Sequence, residues 1–305
     1  MAPIVSVIIP TYNRAYCIKR TIDSVLNQSF KDFDIFVIDN NSIDNTEEII
    51  NDYDNPKINF KKIENNGVIA ASRNKGIFLS RSKYIAFLDS DDWWKPDKLK
   101  ISIGFLEDGN DLICHQLEQV FKTQRNKPSK KYKKYTYKFK KSFFESFLKN
   151  GNLIATSSVI VRRDIISRLG GFSECKSISG SEDYDMWFRI SSITNKFYVI
   201  NNNLGYYTHG LDNFSDDIKL RKALKTLIIR FEKLCIKKKS KPTYLYYLAC
   251  SLYISSGQFK NAIKYLKLFL INDSRLLKTI KLLVKLILNL FIGSIFYKKF
   301  SKTNL

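Results

Sequence analysis

Histidine and cysteine are scarce in this chain, with two and five copies among 305 residues. The cysteines (Cys17, Cys114, Cys175, Cys235, Cys250) are odd in number and scattered, with no Cys-x-x-Cys pair, which argues against a disulfide framework or a zinc site. Reduced, partly buried thiols are expected. The start, Met1 to Pro10, lacks the basic region of a signal peptide, and Pro10 cuts its apolar run. It reads as a first buried strand, and the protein is expected to stay in the cytosol. No apolar run reaches the roughly 20 residues a spanning helix needs. The longest, Leu282–Tyr297, has 16 residues and contains Lys285 and Asn289. Acidic side chains are nearly absent from one region, residues 219–305, which hold 20 Lys/Arg against two Asp/Glu.

That last shortage locates most of the net charge of +22. Residues 1–118 carry net −4, residues 119–218 carry +8 and residues 219–305 carry +18. A basic, helical tail striped with apolar residues suits an anionic surface, whereas the slightly acidic first part resembles an ordinary enzyme domain. A composition of 44% hydrophobic and 26% charged residues is that of a folded soluble protein.

The first 115 residues alternate β-rich runs with helical patterns. Val5–Ile9, Phe33–Ile38, Ile58–Ile63, Tyr84–Leu88 and Leu112–Cys114 are expected as strands, with Ile18–Leu26, Thr46–Ile50, Val68–Leu79 and Asp97–Leu106 as helices between them. This order predicts βαβ units and a mainly parallel α/β sheet. The polar segments after the strands then meet along one carboxyl edge, where open α/β sheets bind ligands. One of them, Asp89-Ser90-Asp91-Asp92, sets two carboxylates at i, i+2, a spacing that lets both reach one hard cation bridging phosphate oxygens. The alternative is a solvated turn capping the next helix.

Further along, residues 122–141 hold ten Lys/Arg, interleaved aromatics and no acid, which fits either a stacking surface or a solvated loop. Ile154–Val161 is a second apolar stretch, Asp164–Leu169 a short helix and Ser181 a helix cap ahead of Glu182, Asp183 and Asp185. Phe197–Ile200 and Gly205–Thr208 read as two strands. In the tail, Tyr246, Ala249, Cys250, Tyr253, Ala262 and Leu266 have the spacing of a helical hairpin, with one tetratricopeptide-like copy as the alternative. The stripe Leu276, Leu277, Ile280, Leu283, Val284, Ile287, Leu288, Phe291 reads as a face lying in a membrane interface, with packing on the enzyme domain as the alternative.

Five motifs in order, Val7 to Arg14, Val37 to Thr46, Asn66-Gly67 with Ala71 to Gly76, Phe87 to Asp92 and Ser181 to Asp185, closely resemble family 2 glycosyltransferases of the GT-A fold. The resemblance covers residues 4–215 and implies a GT-A, Rossmann-like sheet flanked by helices with a C-terminal helical tail. It implies a nucleotide-sugar half at 1–118, an acceptor and catalytic half at 119–218 and the tail at 219–305. Pro10, Thr11, Tyr12 and Arg14 would lie against base and ribose, Asp39 would bond the base, and Arg73 would support base or diphosphate. Asp89 would sit near ribose or donor sugar. Asp91 would bind a divalent cation, Mg²⁺ or Mn²⁺, which His209 could help hold, and Asp92 would stand behind it. Asp183 would be the general base for an inverting transfer, with Glu182 orienting it or touching the donor. Trp187 reads first as a core aromatic and second as a sugar-stacking platform.

The implied donor is a nucleotide sugar, UDP-linked, and the implied acceptor a glycan or lipid-linked oligosaccharide destined for surface polysaccharide of the O-antigen or capsule kind. The implied site of action is the cytoplasmic face of the membrane, where tail lysines would contribute ~1 kcal/mol each near anionic lipid. A sugar nucleotidyltransferase is the nearest other enzyme, but the first loop here is Pro10-Thr11-Tyr12-Asn13-Arg14 and not Gly-rich. A nucleic-acid-binding protein would use the charge differently, and no such motif accompanies the lysines. A catalytically silent scaffold on the same fold is a third alternative, opposed by the presence of Asp91 and Asp183.

Overall fold

The computed structural model describes residues 2–121, 133–135, 142–209, 217–273, 275 and 278–288. They fall into two compact units, Met1–Phe144 with Asn152–Phe214, and Glu145–Gly151 with Ser215–Leu305. The basic segment 122–141, apart from Lys133–Tyr135, lies outside the described residues.

The first unit opens with four parallel strands, β1 (Val5–Thr11), β2 (Phe33–Asp39), β3 (Ile58–Lys62) and β4 (Tyr84–Phe87). Helices α1 (Ile18–Leu26), α2 (Thr46–Asn51) and α3 (Ile69–Leu79) make the crossovers. β1 is buried at every position, as a strand covered on both faces must be. The α1 stripe Ile18, Ile22 and Val25 closes one face. On α3, a Cβ at Gly76 would stand 2.6 Å from Cγ2 of Ile8, so only glycine lets this helix approach β1 so closely. The pairing places Thr11 beside Asp39, which fixes two candidate residues at one edge of the sheet.

The chain continues through β5 (Trp93–Trp94), α4 (Lys98–Glu107), β6 (Leu112–Phe121), β7 (Lys133–Tyr135), α5 (Phe143–Asn150), whose residues from Glu145 belong to the second unit, β8 (Ile160–Arg162), α6 (Arg163–Arg168), α7 (Glu182–Ile193) and β9 (Phe197–His209). The strand order is β3-β2-β1-β4-β8-β6-β9-β5, with β7 on β6. β8 is antiparallel to β4 and β6, and β5 to β9, while β6 and β9 are parallel. The parallel expectation therefore holds for the first four strands, and the whole sheet is mixed. β6 runs ten residues, well past the expected Cys114. The two strands expected at 197–208 are one, because Asn201 and Asn202 are absorbed as a bulge between the pairs His115–Ile200 and Gln116–Asn203. The stretch expected at 154–161 becomes a 3₁₀ turn, Thr156–Ser158, followed by the short β8.

The second unit is helical: α8 (Asp217–Cys235), α9 (Thr243–Ser255), α10 (Phe259–Asn272) and a helix over 278–288. α9 and α10 form a hairpin across Gly257 (φ +69°), with Tyr246, Ala249, Cys250 and Tyr253 buried and Tyr253 stacked on Tyr265 at 5.7 Å. Among the described residues, no helix is long and apolar enough to cross a membrane.

Candidate functional site

The loops after β1 and β2 are laced together by their own polar side chains. Asn13 and Asn41 take left-handed backbone (φ 51° and 53°), a region asparagine tolerates better than most residues. The Asn13 N–H donates to Ser42 Oγ at 2.8 Å, and Asn13 Oδ1 accepts from the Ile43 N–H at 2.9 Å. Asp39 is fully buried, and its carboxylate accepts from the Ser42 N–H at 2.9 Å and from the Ser42 hydroxyl. These bonds leave a cavity at the sheet edge lined by Pro10, Thr11, Tyr12 and Arg14, with Asn40, Ser72 and Ser90. Tyr12 is about half exposed, and the buried Thr11 hydroxyl has no partner among the described residues.

The aspartate cluster turns its three carboxylates in different directions. Asp89 Oδ1 accepts from Arg73 Nη2 at 2.8 Å, and Arg73 Nη1 donates to Glu182 Oε1, also at 2.8 Å. Arg73 is thus buried as a bridge between two carboxylates, and although burial opposes its charge, Asp89 and Glu182 raise its pKa above the usual value. Glu182 Oε2 accepts from the Gly180 N–H at 2.6 Å. Asp91 stays partly exposed, with Arg14 Nη2 4.0 Å from its carboxylate. Its carbonyl accepts from Arg20 Nη2 at 2.8 Å, which fixes the loop. Asp92 points inward: its carboxylate accepts from the Thr208 N–H at 2.7 Å and the Ser157 hydroxyl at 2.5 Å. Burial, then Asp91 and Asp89, push its pKa well above the carboxylate range. Asp92 therefore clips β9 to this loop from a buried position.

A second cavity is lined by Asp89, Gln119, Asn152, Thr156, Asp183 and Tyr207, with Leu117, Ile154 and Ala155. It meets the first at the loop that supplies Asp89 to one and Ser90 to the other. Asp183 stands in the first turn of α7. Its Oδ2 accepts from Asn152 Nδ2 at 2.8 Å and from the Thr156 hydroxyl at 3.4 Å, and its Oδ1 from the Tyr184 N–H at 2.7 Å. Burial, followed by the neighbouring Glu182 carboxylate, pushes its pKa up to about 6 against the opposing pull of Arg73 and the hydrogen bonds.

Trp187 keeps its first reading as a core aromatic and loses the second, and two other expectations change. Trp187 is fully buried against Phe87 and Phe172, so it offers no stacking face to a sugar. Ser181 holds the N-cap position of α7 without a side-chain capping bond. Arg73 spends both ends of its guanidinium on carboxylates. His209 ends β9, and its side chain lies outside the described residues. No group of three or more His, Cys, Asp or Glu able to hold a metal occurs among the described residues. Sequence reasoning missed Asn152, Thr156, Ser157 and Tyr207, which lie in irregular backbone, a short 3₁₀ turn or a late strand and carry no spacing signal.

The profile described as glycosyl transferase family 2 matches residues 6–170. An uncharacterized glycosyltransferase of Methanocaldococcus jannaschii is 34% identical over 228 residues, 72% of this chain and 76% of its own. A hyaluronan synthase of Pasteurella multocida is 38% identical over 127 residues, 41% of this chain and 12% of that protein. Among solved structures, S. aureus TarS in complex with UDP-GlcNAc aligns with a TM-score of 0.62 at 19% identity, covering 88% of this chain and 80% of that one. That likeness establishes the GT-A fold. With the profile covering more than half the chain and the archaeal relative matched over most of its length, this protein is a member of glycosyl transferase family 2.

Proposed function

We propose that this glycosyltransferase moves a sugar from a UDP-linked donor to a hydroxyl of a glycan or lipid-linked oligosaccharide, with inversion, in the synthesis of a surface polysaccharide. The observation that carries the reading is Asp183, a carboxylate with a pKa raised to about 6, sharing one cavity with Asp89. Relatives named for polysaccharide synthesis, and a structural neighbour that binds UDP-GlcNAc, support the substrate class.

In this reading the half-exposed Tyr12 ring stacks on the base, and the unpartnered Thr11 hydroxyl and Arg14 take ribose and phosphate. Asp39 keeps lone pairs for a base imide N–H while Ser42 holds it in place. Asp91 is a partly exposed carboxylate, the kind of ligand of which a hard divalent cation, Mg²⁺ or Mn²⁺, takes one or two while drawing its other oxygens from water and phosphate. Asp91, and His209 as a second ligand, would hold it. When bound, such an ion neutralises charge developing on a departing nucleoside diphosphate. Asp183 takes the acceptor O–H proton as that oxygen bonds to the anomeric carbon. The carbon–phosphate oxygen bond breaks, and its electron pair leaves with the diphosphate. Attack opposite the leaving group inverts the centre. Arg73 holds Glu182, and so the first turn of α7, against the Asp89 loop.

A donor screen for nucleoside diphosphate release, with and without Mn²⁺, tests this on wild type, Asp91→Asn and Asp183→Asn. Loss of a general base should lower kcat by about 10²–10⁴-fold. Metal-independent turnover retained by both variants would overturn the mechanism.

We also propose peripheral attachment to anionic lipid. Helix 278–288 exposes Ile280, Leu283, Val284, Ile287 and Leu288 along one face, within a region rich in lysine. Flotation of the full chain with anionic vesicles tests it, and absence from the vesicle fraction refutes it.

A further inference from the structure

We propose that Asn152 is the positioning residue of this enzyme, fixing the Asp183 carboxylate in the plane from which it meets the acceptor hydroxyl. The inference rests on the general-base reading of Asp183.

Asn152 lies in irregular backbone ahead of the 3₁₀ turn Thr156–Ser158, immediately after Gly151, whose φ of +84° turns the chain. Its amide has a defined orientation. Oδ1 accepts from the Ile154 N–H at 3.2 Å, so the NH₂ end is the one directed at Asp183 Oδ2, 2.8 Å away. A flipped amide would set NH₂ against that N–H and lose both bonds. The Tyr184 N–H holds the other oxygen at 2.7 Å, so donors on both oxygens fix the carboxylate's rotation. The Thr156 hydroxyl, 3.4 Å from Oδ2, is a weaker third donor, near enough to be shared with an incoming sugar.

The amide also biases the proton. A donor aimed at a carboxylate favours the ionised form, whereas burial and Glu182 disfavour it. The charged and titratable groups around Asp183 are Glu182 beside it on α7, Arg73 from α3, Asp89 across the cavity and Tyr207 from β9. The lining side chains from β6, Leu117 and Gln119, are uncharged, as are Asn152, Ile154 and Thr156. Asn152 is thus the neutral donor that opposes the Glu182 carboxylate without adding a competing charge.

The test is the pH dependence of kcat/KM for wild type, Asn152→Ala, Asn152→Ser, Asn152→Asp and Asp183→Asn, read by nucleoside diphosphate release. Asn152→Ala should move the acid limb up by about one pH unit, a tenfold change in proton affinity. Its plateau should fall about tenfold as the carboxylate gains rotation, with donor KM held within about twofold. Serine, a shorter donor, should fall between alanine and wild type. Asn152→Asp matches the native shape, so it keeps the test open if the smaller variants fail to fold, and its added charge should move the limb up further. A wild-type limb in the aspartate variant, or in a folded alanine variant, overturns the proposal while leaving Asp183 as base. Wild-type activity in Asp183→Asn instead removes the base reading and this inference with it.

Discussion

Replacing Arg73 by methionine should destabilise the first unit by about 3 kcal/mol. Removing one partner of a buried ion pair costs ~3–5 kcal/mol, because the remaining charge stays buried without compensation. Two carboxylates lose their partner here, but unequally. The Glu182 side chain is 7% exposed and keeps only the Gly180 N–H, whereas the Asp89 side chain is 29% exposed and regains water. The loss therefore falls mainly on Glu182, which places the cost at the low end of that range. All three tryptophans, Trp93, Trp94 and Trp187, belong to the first unit, so their fluorescence during urea unfolding follows the part of the chain that carries Arg73. The double variant Arg73→Met, Glu182→Gln should recover at least half the loss, since the stranded charge is gone. A cost below about 1 kcal/mol for the single variant, or no recovery in the double, would refute burial of an obligatory ion triad.

Asp183 ionises at about 6 when folded and near 3.9 when unfolded, so the folded state holds an extra proton between these values. Its contribution to stability is therefore complete below about pH 4 and lost as pH rises through 6, while transfer activity rises over the same window; calorimetry and rate profiles should move in opposite directions. Lys98 is fully buried, its ammonium has no hydrogen-bond partner among the described residues, and it lies 3.5 Å from the centre of the Trp94 ring. Burial lowers its pKa well below the usual value, so Lys98→Met should leave stability unchanged or raise it by about 1 kcal/mol at neutral pH, and a fall of more than that in a urea melt would contradict this. Gly76→Ala should cost about 1–3 kcal/mol by driving a methyl into Ile8, and Ile8→Ala in the same chain should absorb part of that cost, both read by thermal unfolding. Trp187→Ala should cost about 3–5 kcal/mol while Trp187→Phe retains sugar transfer, because the ring fills the core between Phe87 and Phe172.

β1, β2 and β4 were legible because each is a short, almost wholly buried apolar run whose pattern does not depend on distant partners, and the partly buried β3 stood out by its place between two helical patterns. β6 and β9 were not. The stretch His115-Gln116-Leu117-Glu118-Gln119 looks polar, yet its hydrogen-bonding comes from β7 and β9, which sequence-local patterning cannot see. Asn201 and Asn202 break the apolar pattern and are held as a bulge by the partner strand, with Asn203 already paired to Gln116. At the site, motif spacing brought out Asp89, Asp91 and the Glu182-Asp183 pair, while Asn152 and Thr156 owe their relevance to where an irregular segment passes in space. Arg73 was legible as a residue of the site but not as a bridge between Asp89 and Glu182, since that depends on α7 arriving from much later in the chain.

The bond from Arg73 to Glu182 spans 109 residues. During synthesis, α3 leaves the ribosome well before α7 exists, and the early parallel strands have only Asp89 to answer a guanidinium that the finished fold encloses. A nascent chain ending before residue 182 cannot close this corner of the sheet, so the ion triad forms late, only once most of the first unit has emerged.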